Sequence, residues 1–224
     1  MVLRSSNSPL TSEFDALIQQ QMDKWKVPGL SMAVVHGSST WSKAYGFAQF
    51  PDRKMTTDSL FSTCSTTKAF TAAAMSLAID DSMNTESPLR WNTPMASILG
   101  DDFVLGKDYN TMHATVEDTL SHRSGLSTHD ACTAVSHALE QIEDGTLGET
   151  LKKGIWGPLG MNDTYFSVID VSGDPSGYTW DPDTNTYIAE PYMNDVAITG
   201  TGAMSLQIGR SLSDLLRFHA ISML

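Results

Sequence analysis

The chain has 224 residues, 41% of them hydrophobic and 18% charged, an ordinary globular balance with enough length for a sizeable core. Its net charge of −12 and a pI near 4.7 repel phosphate backbones and anionic lipid, which argues against nucleic acid and membrane surfaces as partners. No apolar run is long enough for a bilayer, no secretory h-region shows between Met1 and Pro9, and two cysteines, Cys64 and Cys132, are too few for a disulfide framework; a cytoplasmic address is expected.

Thr11 or Ser12 caps a first helix. In it Phe14, Leu17, Ile18, Met22 and Trp25 recur at helical spacing, and Glu13 and Asp15 occupy the first turn. Val27-Pro28-Gly29 ends it. Leu30–His36 and Thr40–Gly46, joined by Gly37-Ser38-Ser39, are predicted to pair as an antiparallel hairpin. Two strands alone are marginal in water, so Leu30, Met32, Val34 and Trp41 are expected on an uncovered apolar face, with self-association as the consequence. An alanine-rich run without breakers predicts a helix from Ser65 to Asp80. The polar stretch 81–95 reads as a loop anchored by Trp91 and Met95. Thr115 to Asp118 reads as the start of a helix that stops on Gly125. Ala134–Ile142 and Leu147–Trp156 are two further helices, the second stopped by Pro158-Leu159-Gly160-Met161. Phe70, Met75, Leu77, Leu120, Leu139 and Leu151 are the expected helical core. The polar stretch 170–186 reads as a second loop. Tyr178–Trp180 and Tyr187-Ile188 flank Pro182-Asp183-Thr184-Asn185 as a second hairpin, and Ser211–Met223 is a last amphipathic helix. No repeat and no linker interrupts the chain. One α+β domain over residues 1–224 is expected, mostly helical from about 80 to 165.

Ser65-Thr66-Thr67-Lys68 is an S-x-x-K pattern. Residues three apart on a helix share a face, with Cβ atoms roughly 5–6 Å apart, so a lysine amine reaches a serine oxygen. Desolvation and the positive helix end both favour the neutral form of an amine placed there, and a neutral amine takes the serine proton. The same helix end offers backbone N–H groups to an oxyanion. Nucleophile, base and part of an oxyanion hole thus fit within one turn. The residues alone leave a second reading open: a core helix capped by Ser65, with Lys68 reaching solvent.

Several stretches in chain order resemble the β-lactamase and penicillin-binding-protein-like serine hydrolases, above all the class C β-lactamase-like esterases and acyltransferases. They are Val27 to Val35, Lys43-Ala44-Tyr45-Gly46, Phe61 to Thr71 with its S-x-x-K, and Thr119 to Leu126, similar to the family's "HTSGL" stretch. Ile155 to Thr164 is similar to the "PLGM" stretch, and Gly200 to Ser205 and Ser213 to Phe218 resemble the later glycine-rich turn and helix. The resemblance implies a β-lactamase/transpeptidase-like α+β fold, an antiparallel sheet with flanking helices plus a helical region. It also implies that Ser65 is acylated by a small-molecule ester, amide or acyl donor, β-lactams included, and that Lys68 is the base. A tyrosine in a Y-x-N motif shares the base role in the family, and a K-T-G or H-x-G strand completes the oxyanion hole.

This sequence departs from that pattern. Only Ser127 to Thr133 fills the space where the family carries Y-x-N, and it holds no tyrosine. No H-x-G occurs. Lys152-Lys153-Gly154, Tyr192-Met193-Asn194 and Tyr109-Asn110 fall in the wrong places for these motifs. An internal deletion and an incomplete sheet are expected, which makes a catalytically impaired remnant or a binding module of the same fold the competing reading. Cys64 reads as a small buried residue beside the helix start. The six histidines form no metal-ligand spacing and no phosphate-cradling glycine loop is present, so no metal and no cofactor is expected. His122 is expected to pack and hydrogen-bond near the cleft. Ser124, Asp181 and Asp183 read as turn formers.

Overall fold

A computed structural model of the chain describes residues 8–61, 66–126, 128–166 and 177–190. The chain divides into two compact units, one of residues 1–62, 171–193 and 208–224, the other of 63–170 and 194–207. The expected last helix, Ser211–Met223, lies outside the described residues, as do Cys64 and Ser65.

In the first unit α1 (Ser12–Trp25) begins on Thr11, whose side chain accepts the Phe14 N–H, and ends on Lys26 in the left-handed region. β1 (Gly29–His36) and β2 (Ser39–Gln49) pair antiparallel from Gly29 opposite Gly46 to His36 opposite Ser39. Gly46 has φ +72°, and a Cβ there would meet the Pro28 carbonyl at 2.2 Å, so the tight return past Pro28 requires glycine. A two-residue β3 (Arg53–Lys54) extends the sheet in the order β1-β2-β3. The expected uncovered face is not found: Leu30, Met32, Val34 and Trp41 are each half-buried. β4 (Gly177–Asp181) and β5 (Thr186–Glu190) form the second hairpin. Asp181 accepts the Asp183 N–H and the Thr184 hydroxyl at its turn, the expected turn-forming role. This hairpin docks on the end of β2 through rings: Phe50 stacks on Tyr187 and meets Tyr178 edge-on, both with centroids 5.1 Å apart.

Asp15 ties α1 to β2, accepting hydrogen bonds from Lys43 Nζ and, at 2.8 Å, from the Tyr45 hydroxyl. The Lys43 hydrogen bond, then that of Tyr45, holds its carboxyl below the ordinary value. A carboxylate with a depressed folded-state pKa contributes stability that is fully present above its unfolded value, near 4, and is lost as pH falls through the folded value. Urea titrations from pH 6 down to pH 2.5 are expected to show stability falling below about pH 4. Asp15→Asn should remove part of that slope; an Asp15→Asn chain with the full acid slope would refute this role.

The second unit is helical and built around α6 (Thr128–Glu143). Ala131, Val135, Ala138 and Leu139 of α6 are each at most 1% exposed and recur at one-face spacing. Packed on α6 are α2 (Thr67–Ser82), α3 (Met95–Leu99), α5 (Val116–Leu120) and α7 (Leu147–Leu151). α4 (Asp108–His113) lies beside α3. A π-helical turn, Lys152–Trp156, continues α7 and buries Ile155 and Trp156. On α2 the buried positions are Thr67, Phe70, Thr71, Ala74, Met75, Ala78 and Ile79, an unbroken stripe at i, i+3, i+4, i+7, i+8. Leu77 falls off that stripe and is 43% exposed, which corrects its place in the expected core. Trp91 is likewise exposed rather than an apolar anchor; its carbonyl instead accepts the Glu117 N–H at 2.9 Å. The α5 start is as read, a capping box in which Thr115 and Asp118 satisfy each other's backbone. Its stop is not Gly125. The helix ends at Leu120 and the chain reverses at His122, φ 60°, a left-handed position that histidine tolerates better than most side chains.

Candidate functional site

The second unit holds the part of the expected site that is described. Thr66 already has helical torsions and α2 proper begins at Thr67, so Lys68 stands in the first turn. It is half-buried. It lies just off the core stripe, on the same face as Ala72 four residues on. Ser65, its expected partner, lies outside the described residues.

Lys68, Thr71 and Ala72 of α2 face Ala131 and Cys132 of α6 across a cavity of about 50 Å³, closed by Thr119, Leu120 and His122. That is room for a water or two and far too little for an organic substrate. Lys68 and Cys132 line this cavity together. Cys132 is 8% exposed. Burial pushes its thiol up, while the Lys68 charge and hydrogen bond act in the opposite direction. Thr119 anchors the opposite wall, donating its hydroxyl to the Thr115 carbonyl at 2.9 Å. His122 reaches the cavity but is otherwise exposed. Ser124 accepts the Leu126 N–H, the expected turn contact.

Cys132 was legible as a cysteine but not as a neighbour of Lys68. The sequence places the start of its helix at Ala134; the helix actually begins at Thr128. The six extra residues carry Cys132 onto the face that meets α2. Two of the three motifs read as misplaced fall among the described residues. Tyr109 is exposed on α4 and stacks on His113, centroids 4.1 Å apart. Lys152-Lys153-Gly154 lies in the π-helical turn, not a strand. Tyr192-Met193-Asn194 lies outside the described residues.

An open groove of about 540 Å³ elsewhere on this unit is large enough for a ligand. Its described lining includes Asp81, Glu143, Asp144, Glu149 and Lys153 but no serine, cysteine or histidine, so it offers no acyl-transfer nucleophile of those kinds. Among the described residues no group of three His, Cys, Asp or Glu side chains could hold a metal ion. No helix among them is long and apolar enough to cross a membrane.

A family model described as Beta-lactamase matches residues 14–221. An unguisins hydrolase of Aspergillus campestris is 34% identical over 241 positions, covering 88% of this chain and 45% of the relative. A second unguisins hydrolase, from Aspergillus violaceofuscus, is 30% identical over 253 positions, covering 92% and 44%. The chain thus spans less than half the length of these relatives. Each aligned stretch is also longer than the 224 residues of the whole chain, so the relatives carry internal residues that this chain lacks. Among solved structures, the octameric penicillin-binding protein homologue of Pyrococcus abyssi superposes with a TM-score of 0.75 at 18% identity, over 93% of this chain and 55% of that one. A class C beta-lactamase of Rhodobacter sphaeroides does so with a TM-score of 0.66 at 17% identity, over 93% and 64%. At these identities the likeness speaks for the fold, β-lactamase/transpeptidase-like and α+β as expected.

Proposed function

Because the chain belongs to the beta-lactamase family, we propose that it is a serine hydrolase of small-molecule esters or amides, with Ser65 as nucleophile and Lys68 as base. One observation carries the reading. Lys68 stands in the first turn of α2, three positions after Ser65, partly withdrawn from water and lining a cavity shared with α6. In the proposed reaction the Lys68 amine takes the Ser65 proton as Ser65 Oγ attacks the carbonyl carbon. The lysine then passes that proton to the leaving alcohol or amine. Water cleaves the acyl-enzyme and restores Ser65. Hydrolysis is preferred to transfer because both curated relatives are named hydrolases; unguisins are the first substrates to try. A cytoplasmic setting belongs to the same proposal, and so does self-association, supported by an outer edge of β1 that pairs with no strand among the described residues.

A specific observation also favours the impaired reading. The stretch Ser127 to Thr133 holds no tyrosine, and the Lys68 neighbour found on α6 is a thiol. Losing a single oxyanion donor costs on the order of 100–1,000-fold in kcat, and acylation forms the same kind of oxyanion, so weak or absent turnover with slow acylation is the expected phenotype. Labelling with a fluorophosphonate, alongside p-nitrophenyl ester hydrolysis, separates the cases. The expected result is a label on Ser65 that Ser65→Ala abolishes, with low turnover. No label on the wild-type chain would remove the enzyme reading; label without any turnover would establish the impaired one.

A further inference from the structure

We propose that the open groove between α2 and the α6–α7 junction docks a partner protein through an extended peptide segment that carries basic and aliphatic side chains together. The inference is independent of the acyl chemistry assigned to Ser65 and Lys68. Successive residues of a helix turn by about 100°, so Ala74, Leu77 and Asp81, which line the groove, lie on a different arc of α2 from Lys68 and Ala72.

Two properties of the groove set its occupant. The floor is apolar. Leu77 is the exposed aliphatic residue left off the core stripe of α2. Gly154, from the π-helical turn, leaves it uncovered: a Cβ at 154 would come within 3.8 Å of Leu77 Cδ1, an ordinary contact. The rim is acidic. Asp81, Glu143, Asp144 and Glu149 bring four carboxylates against the single amine of Lys153. Glu149 is taken up by its capping box with Thr146. Asp81, Glu143 and Asp144 are exposed, and none of them forms an ion pair among the described residues. Aliphatic surface beside uncompensated negative charge is complementary to leucine-like and lysine- or arginine-like side chains at neighbouring positions. A second copy of this chain is a poor match, because it brings a net charge of −12 of its own. The groove, about 540 Å³ and open to solvent, has room for a few side chains but would leave a small amine too exposed to be held by burial.

Fluorescence anisotropy with the full chain and a rhodamine-labelled hexapeptide of alternating leucine and lysine, at about 0.15 M salt, tests this. A leucine–glutamate hexapeptide is the control. The expected result is saturable binding of the lysine peptide and none of the glutamate peptide. Asp81→Asn combined with Asp144→Asn should weaken binding about three- to tenfold, the effect of two partly exposed ion pairs. Asparagine suits the left-handed backbone at 144, φ 51°. Gly154→Leu, which fills the groove over Leu77, should weaken binding by more than about tenfold. Asp101→Asn combined with Asp108→Asn removes equal charge elsewhere on the unit and should change affinity less than about twofold, since screened charges act locally. Equal losses in the two double variants would reduce the effect to overall charge and overturn the site. No binding by the wild-type chain, or wild-type affinity in Gly154→Leu, would overturn it too. Displacement of the peptide by hexylamine would give the groove to a small amine instead. A dimer on size exclusion that Gly154→Leu breaks would give it to a second copy.

Discussion

Lys68→Met is expected to lower kcat for a p-nitrophenyl ester by about 10²–10⁴-fold, the range for loss of a well-placed general base. Methionine keeps most of the length and volume of the side chain. The wall made with Cys132 and Ala72 should therefore survive, and stability should change by less than about 1.5 kcal/mol. KM should move little, because the lysine acts on the serine proton rather than on the resting substrate. Steady-state kinetics, with circular dichroism to confirm the fold, provide the check. A variant that keeps the wild-type rate would transfer the base role to another group.

Local signals read from the sequence held where the backbone decides. Thr11 and Thr115 cap their helices because a side-chain oxygen three residues before a free N–H is a purely local fit. The hairpin of β1 and β2 follows from alternation and a glycine turn. The reading failed where tertiary contacts decide. Leu77 is apolar but lies on the wrong arc of α2. β3 and α4 are too short to leave a periodic signal. The first turns of α6 were missed because Thr128-His129-Asp130 has no apolar period; packing of the later turns against α2, α3 and α5 carries the helix back through them. The S-x-x-K pattern was legible as residues. Its setting was not, because the cavity wall comes from positions 119 to 132, more than fifty residues downstream.

The second large effect is on stability. Phe70→Ala is expected to cost the second unit about 3–5 kcal/mol. Phe70 is 1% exposed and meets Trp156 edge-on, ring centroids 6.3 Å apart at 79°. Trp156 is itself 3% exposed and ends the π-helical turn, so the pair clamps α2 to the segment after α7. Removing the ring leaves a void that close-packed neighbours fill only in part. A domain with a total of about 5–15 kcal/mol should then unfold at markedly lower denaturant. Leu77→Ala on the same helix is the control, since a side chain 43% exposed should cost far less. Urea unfolding followed by tryptophan fluorescence compares the two. Similar midpoints for Phe70→Ala and Leu77→Ala would mean that the stripe from Thr67 to Ile79 does not anchor α2. A loosened α2 also frees its first turn, so Phe70→Ala should lose ester turnover at urea concentrations where the wild-type chain keeps it. That loss would come with no change in the groups at positions 65 or 68, which separates the scaffold's contribution from that of the chemistry it holds.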